Sequence, residues 1–561
     1  LSKILIIGGS ALGPKAAARA RRRDPKAEIT IIDRGDIFSY AGCGMPFYIG
    51  GEIRDIKNLF STSYGVPRDE NYFKKFKNIN LIGRTEAVKI NRHEKTVTVK
   101  NLSTGEYRDL PYDKLVLGVG AFPAIPPIEG INLQGVFRLY NLKDAEAIKK
   151  KIDEGANRVV IVGGGLIGLE VCGALLHRKC RVTILEMMER LAPSILDTDM
   201  ALILEKYLKD KGVIFRLGSR VMKILDDGSG NVSAVQTFTG DSYPADLVLL
   251  AVGVKPNINL AKNAGLEIGS TGAIAVDEFL RTNDPDIYAG GDCVENYDIV
   301  SSRKVYLPLG STANKHGRII GDNITGGESR FQGIVGTVAF KVLELNIGKT
   351  GLTENEAKKI GFDTVTAVTP RTDCSDYYPN SQLIVIKLIA DRLTSRLLGC
   401  QIIGMGEAIK RIDIVATCLK FKGTVKDLVD IDLGYAPPYS TAIDAIAHSA
   451  NVIQNKIEGL AHGIPVEELK RKMKNNEDFV ILDVRSRKEV EAIRFEDLRA
   501  INIPLDELRE RLHELDKTKE IIIICETSVR AYEAERILRG SGFRDIRFLD
   551  GSLTTWFSKY Q

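Results

Sequence analysis

Apolar residues along this chain of 561 residues gather in short runs of strand length, each closed by glycines or by an acid. Ile4–Ile7 runs into GGSALG (Gly8–Gly13) and then into an alanine- and arginine-rich stretch of helical pattern; the strand Glu28–Ile32 follows and ends at Asp33. The same order returns from Arg158: Val159–Val162, the turn GGGLIG, a helical stretch, Val182–Leu185 and then Glu186. Two further runs, LVLGVGAFPAIPPIEG (Leu115–Gly130) and LVLLAVGVKPN (Leu247–Asn257), each leave a strand through glycine. Around Asn455–Pro465 the pattern restarts, with Phe479–Leu482 ending in DVR and Ile521–Ile524 leading into the loop CETSVR (Cys525–Arg530) ahead of another helix. Strands alternating with helices in this way predict an α/β protein with parallel sheets. The longest apolar runs, such as Leu247–Val254, have strand length; a membrane span needs roughly 18 residues or more. At about 100–200 residues per domain, a chain of this length predicts about three to five folded units.

The two glycine turns carry the first chemistry. In each, a glycine-rich strand-to-helix turn lets backbone N–H groups approach a pyrophosphate, and an acid at the end of the next strand accepts from a ribose hydroxyl. The first turn supplies Gly8, Gly9, Ser10 and Gly13 with Asp33, 20 residues past Gly13; Ser10 stands where the middle glycine of GxGxxG belongs. The second supplies Gly163, Gly165 and Gly168 in the full pattern, with Glu186 following after 18 residues. An acid at that point favours a ribose with an unmodified 2′-hydroxyl, hence NADH, while Arg190 close by leaves NADPH open. One such motif is a weak signal; two in one chain, each with its acid, point to a flavin and a nicotinamide working together. TNDPDIYAGGDCVE (Thr282–Glu295) adds Asp292 after a short strand and two glycines, placed to reach a flavin ribityl hydroxyl.

Composition changes this picture little and charge somewhat more. At 44% hydrophobic and 27% charged, the chain is an ordinary globular protein, neither disordered nor collagen-like. The opening LSKILIIGG enters a glycine turn at once and lacks the longer apolar region of a secretory leader, so a cytoplasmic location is expected. The net charge of +5 is too small for a nucleic-acid footprint. Yet Lys3, Lys15, Arg19, Arg21, Arg22 and Arg23 all precede the first acid, and such a patch suits an anionic small molecule. Eight cysteines (43, 172, 180, 293, 374, 400, 418, 525) show no CxxC and no regular spacing, so neither a metal site nor a disulfide framework is expected. Six read as inert thiols. Cys43, between glycines in SYAGCGMPFY (Ser39–Tyr48), and Cys525, on a six-residue loop at a helix start, do not.

Together these segments resemble the FAD/NAD-linked disulfide oxidoreductases over roughly residues 1–450. The resemblance implies two Rossmann-like dinucleotide-binding domains and an α+β dimerisation domain. The expected boundaries are 1–112 with 255–325 for FAD, 113–254 for NAD and 326–452 for the interface domain. Where two-cysteine members keep a second thiol five residues on, this chain has Tyr48, so the single-cysteine branch is the better match: coenzyme A-disulfide reductases, NADH-dependent persulfide and polysulfide reductases, NADH peroxidases and oxidases. The peroxide- and oxygen-reducing members carry a histidine in the first glycine loop, where this chain has Ser10, Ala11 and Leu12. The thiol-reducing members use two tyrosines from the partner subunit, which Tyr377 and Tyr435 match, and this implies a homodimer. Lys15, Arg19, Arg22 and Ser39 match positions that contact coenzyme A in that branch, while Gly42 stands where Asn is usual and Tyr40 where Phe is usual.

Residues 463–561 resemble a single α/β rhodanese-like domain whose loop cysteine, here Cys525, holds a persulfide, with Arg530 as its substrate-side cation. Arg485 and Arg530 keep that pattern. Ser528 replaces a glycine of the loop, Ser552 replaces the second glycine of a GG pair, and FEDLRA (Phe495–Ala500) replaces HIxGA. The combination implies an NADH-dependent flavoprotein that reduces persulfide or polysulfide sulfur through Cys43, with coenzyme A persulfide a fitting substrate and Cys525 passing sulfane sulfur between carriers. Two alternatives stand beside it: a coenzyme A-disulfide reductase, and a sulfur relay that docks a carrier through a degenerate rhodanese surface.

Overall fold

The strand Lys3–Ile7 exposes only its first residue, as a strand covered on both faces must. It lies at the centre of a five-stranded parallel sheet ordered Ile287–Ala289, Lys114–Leu117, Lys3–Ile7, Glu28–Ile32, Asn80–Ile82. One face is covered by the helix Leu12–Arg23 and by Gly310–Asn323, whose side chains join Ile4, Ile6, Ile29 and Ile31 in one core. On the other face Leu5, Ile7, Leu115 and Leu117 pack against Ile90, Val97 and Val99 of an antiparallel three-stranded sheet, Thr85–Asn91, Thr96–Asn101 and Tyr107–Pro111. This is the Rossmann-like parallel sheet expected for the first glycine turn, with an antiparallel sheet in place of helices on one face, and residues some 280 positions apart in sequence complete it.

The computed structural model describes residues 1–557; the last four residues of the C-terminal unit expected over 463–561 lie outside the described residues. It divides into two compact units, one built from 1–163, 171–182 and 221–334, the other from 164–170, 183–220 and 335 onward. The boundary runs through the second glycine turn, between Gly163 and Gly164. The first unit also holds the parallel strands Val136–Arg138, Leu247–Leu250 and Arg158–Val162. The second unit holds Ile214–Arg216 paired in parallel with residues 183–185.

The second unit carries two further sheets. Val338–Val342, Leu345–Gly351, Leu397–Gly404, Leu383–Asp391 and Thr364–Thr372 form an antiparallel meander-like sheet with Ala445–Ile457 packed on it. A parallel sheet ordered Gly463–Ile464, Ile546–Leu549, Ile521–Ile524, Val480–Asp483, Ala500–Asn502 follows, with Ile521–Ile524 fully buried at its centre. Switching from antiparallel to parallel pairing at about residue 460 is the structural form of the change of pattern in the sequence. Among the described residues no helix is long and apolar enough to cross a membrane.

Candidate functional site

Both glycine turns are built on the same hydrogen bonds. The Asp33 carboxylate accepts from the N–H of Gly9 at 2.6 Å and of Gly35 at 2.7 Å. Within the second unit, the Glu186 carboxylate accepts from the N–H of Gly164 at 2.6 Å and of Met188 at 2.7 Å. Each acid thus fixes the turn from behind and stays at its mouth. At Gly8, φ is +114° and a Cβ would run into the Gly118 carbonyl; at Gly13 a Cβ would strike the Gly8 carbonyl. The Gly163 backbone has φ +106° and a Cβ there would meet the Ala251 carbonyl, whereas Gly165 faces open space. These contacts let strand and helix approach closely enough for the turn amides to reach a phosphate. Gly168 lies in the second unit on the helix Leu166–His177.

Asp292 provides the test of whether a flavin fits. It sits in the turn Gly291–Cys293 with its Oδ1 buried and without a hydrogen-bond partner among the described residues, and burial raises its carboxyl above the ordinary range. A buried acceptor left unpaired is costly unless a ligand hydroxyl completes it. A ribityl hydroxyl is such a donor, so the residues present fit FAD. Arg190, which left NADPH open, is spent within its own loop, donating to the carbonyls of Leu196 and Pro193 at 2.9 Å each.

Cys43 is exposed, on the single 3₁₀ turn Gly42–Gly44 directly ahead of the helix Met45–Gly50. The turn is held by the Ala41 N–H donating to the Leu59 carbonyl at 2.7 Å. A Cβ at Gly44 would collide with Leu59, but at Gly42 it would meet nothing closer than 3.9 Å, so the missing Asn leaves room rather than a defect. Tyr40 and Ser10 are both departures from the resembled pattern; burial pushes the Tyr40 phenol up to about 12, and the Ser10 side chain opposes that rise. Ser39 adopts φ +48°, donates its N–H to the Gly9 carbonyl at 2.8 Å and accepts from Arg68. It therefore ties the Cys43 segment to the first glycine turn.

The basic patch on Leu12–Arg23 is smaller than its sequence. Arg19 is claimed by Asp322, Nε to Oδ1 at 2.6 Å, and Arg23 leans on the same carboxylate. Lys15 and Arg22 are exposed with no ion-pair partner among the described residues. In the second unit, Tyr377 is 76% and Tyr435 51% exposed, unusual values for tyrosines and suited to an additional surface closing over them.

Cys525 is buried, at the end of the strand Ile521–Ile524. Its N–H donates to the Ser552 hydroxyl oxygen at 2.7 Å. Burial raises the thiol above the ordinary cysteine range, opposed by the nearby amides of Ala531 and Thr527 and the side chain of Ser552. Arg530 is paired two-to-two with Glu489, at 2.8 and 2.6 Å, and this pulls Glu489 down to about 2. The cation read as a substrate anchor is thus already neutralised. Glu489 was missed, although Ser486-x-x-Glu489 is a legible capping box and does cap the helix Arg487–Ala492. Arg485, by contrast, is wholly structural, buried and paired with Asp483.

Family comparison agrees with this arrangement. Residues 2–317 match the pyridine nucleotide-disulphide oxidoreductase family, 337–447 its dimerisation domain, and 465–559 a rhodanese-like domain. The chain belongs to the pyridine nucleotide-disulphide oxidoreductases. It is 37% identical, over 81% of its length and 98% of the other protein, to an NAD(P)H coenzyme A polysulfide/persulfide reductase from Pyrococcus horikoshii. The solved NAD-dependent persulfide reductase from A. fulgidus superposes with a TM-score of 0.95 at 45% identity, covering 99% of this chain and 100% of that one. Reduced CoADR-RHD from Bacillus anthracis follows with a TM-score of 0.92 at 35% identity, over 99% and 97%. As a pyridine nucleotide-disulphide oxidoreductase the chain is an enzyme that takes FAD and a nicotinamide dinucleotide.

Proposed function

We propose that this oxidoreductase reduces persulfide and polysulfide sulfur at the expense of NADH, with coenzyme A persulfide among its substrates, and that it acts as a homodimer. The observation that carries the reading is one chain holding two differently built cysteines: an exposed Cys43 with Tyr48 in place of a second thiol, and a buried Cys525 on the loop between the strand Ile521–Ile524 and the helix Val529–Gly540. Gly8, Gly9, Ser10, Gly13, Asp33 and Asp292 would hold FAD; Gly163, Gly165, Gly168 and Glu186 would hold the nicotinamide dinucleotide. When bound, the two cofactors supply a pair of electrons to the sulfur chemistry.

With no second thiol beside it, Cys43 must meet its substrate as a single nucleophile. Its thiolate attacks a sulfur of the persulfide, the S–S bond breaks, and the leaving group departs as a thiolate or as hydrosulfide. Cys43 is left as its own persulfide or as a mixed disulfide, and two electrons return it to the thiolate with release of the second sulfur species. Lys15 and Arg22 suit the phosphates of coenzyme A, and a Tyr377 or Tyr435 hydroxyl from a second copy would donate to the departing thiolate. Cys525 accepts or delivers sulfane sulfur.

Steady-state rates with NADH and each of coenzyme A persulfide, polysulfide and coenzyme A disulfide test the proposal. Persulfide or polysulfide is expected to turn over fastest; much faster turnover of the plain disulfide overturns it in favour of a coenzyme A-disulfide reductase, which the basic residues suit equally well. Cys525→Ser addresses the relay reading. Loss of turnover only when a carrier protein supplies the sulfur would make the C-terminal domain a docking relay.

A further inference from the structure

The helix Gly310–Asn323 carries a buried histidine whose ring is committed to the backbone beside Asp292. His316 is 0% exposed, and its Nδ1 accepts the N–H of Gly291 at 3.1 Å. A ring nitrogen that accepts carries no proton, so the proton of the neutral imidazole sits on Nε2, and a doubly protonated ring could not make this bond. Nε2 is buried and has no hydrogen-bond partner among the described residues. Phe331 stands edge to face against the ring, with 4.3 Å between centroids and an interplanar angle of 87°. A buried donor without an acceptor is costly, and a leucine would fill the same space without that cost. What the imidazole has and leucine lacks is the acceptor at Nδ1.

That acceptor holds one end of the turn Gly291–Cys293. Gly290, just ahead of the turn, donates its N–H to the Leu117 carbonyl at 3.1 Å. A Cβ on Gly290 would come within 2.6 Å of Leu12 and 3.1 Å of the His316 Cβ, so the backbone here lies directly on the helix. From the other side, the Tyr306 hydroxyl donates to the Asp292 carbonyl at 2.9 Å. Tyr306 follows the strand Arg303–Val305, which pairs with Asn296–Asp298, so the two side chains reach the turn from different elements. Between these anchors Asp292 keeps its buried Oδ1 without a partner among the described residues. The backbone around the acid is tied down while its side-chain oxygen is left for a ligand.

We propose that His316 and Tyr306 are positioning residues for FAD, fixing the Gly291 amide and the Asp292 carbonyl so that the free Asp292 oxygen is presented to a ribityl hydroxyl. The role rests on the reading that Asp292 accepts from the flavin, and it names the groups that hold the acid in place. Both residues bond to backbone, so they act through Asp292. Burial lowers His316 to about 3, which keeps Nδ1 an acceptor at any ordinary pH.

A dilution series of the full-length holoenzyme, followed by flavin fluorescence, gives the dissociation constant for FAD. His316→Leu fills the space without the acceptor and is expected to raise that constant roughly tenfold. His316→Asn puts Oδ1 in the place of Nδ1 and is expected to bring it back to within a few-fold of the unmodified enzyme. Tyr306→Phe removes a single hydroxyl and is expected to weaken FAD in the same direction; it keeps the test standing if His316→Leu does not fold. Asp292→Ala supplies the decisive background, where adding His316→Leu is expected to change the constant no further. A full loss from His316→Leu even without the Asp292 carboxylate overturns the proposal and leaves His316 a packing residue. An Asn variant as weak as the Leu variant overturns the acceptor role, and an unchanged constant in both His316→Leu and Tyr306→Phe overturns both roles. If Asp292→Ala alone holds FAD as tightly as the unmodified enzyme, the assignment of Asp292 itself fails and takes the proposal with it.

Discussion

Asp33 and Glu186 each serve two ends of one problem. A carboxylate that accepts two backbone N–H groups shapes its own glycine turn and keeps further lone pairs with which, on the proposed reading, it would accept from a ribose hydroxyl. Glu186→Gln keeps an acceptor but loses the charge, so the KM for NADH is expected to rise by roughly tenfold with kcat little changed, as steady-state kinetics would show. Cys43→Ser is expected to abolish NADH-dependent sulfur reduction, a loss of at least about a thousandfold, while the flavin spectrum of the purified protein is retained. A variant that still turned over persulfide would remove Cys43 from the chemistry. At Cys525 the same scale shows how a loop motif misleads. The loop ahead of the helix was legible, but the burial of its cysteine was not, because burial is set by strands and helices far along the chain.

Among elements, the turn Gly42–Gly44 distinguishes two glycines that look alike in sequence. Gly44 presses on Leu59, so Gly44→Ala is expected to cost about 1–3 kcal/mol of stability by forcing the turn or the leucine to shift. Gly42→Ala has space for its methyl and is expected to stay within about 0.5 kcal/mol. Denaturant melts of the two variants check the pair; equal effects would mean that the turn relaxes freely. The helix Leu12–Arg23 carries a similar lesson. Its basic residues formed one patch on paper, but Gly310–Asn323 packs along it and brings Asp322 to Arg19, leaving Lys15 and Arg22 to meet an anion.

At the scale of the whole molecule, buried charge and buried histidine set the limits of stability. Lys387 is enclosed with Asp199 at 2.7 Å, Glu354 at 2.8 Å and Asp197 at 3.5 Å. The carboxylates hold the Lys387 ammonium far above its ordinary range, and burial raises Asp199. Lys387→Met leaves these acids without their cation and is expected to cost about 3–5 kcal/mol, read from chemical denaturation. His316 is buried and His448 half-buried; both are neutral, lowered by burial to about 3 and about 4, the latter helped by Arg371. Their unfolded forms take up protons near pH 6.5, where the folded forms do not. Their contribution is thus complete above that pH and is lost as pH falls from about 6.5 through about 4 and 3. Thermal melts from pH 7.5 to 4.5 are expected to show a falling midpoint, and His448→Gln is expected to flatten the upper part of that fall.

What the sequence by itself determined is whatever depends on neighbours along the chain: the two glycine turns with their acids, the single-cysteine segment, the change of fold near residue 460, and the loop that carries Cys525. Each is a local pattern of period, glycine and charge, and each appears where the pattern put it. Tertiary structure decided what depends on residues brought together from afar. It matched Arg19 with Asp322 across 303 positions and Arg530 with Glu489 across 41, turning two expected anchors into ion pairs. It also brought Ser552 to Cys525 across 27 positions. A hydroxyl that read as a lost glycine became the acceptor of the Cys525 N–H, because a hydrogen bond is set by distance in space, and sequence spacing does not report that distance.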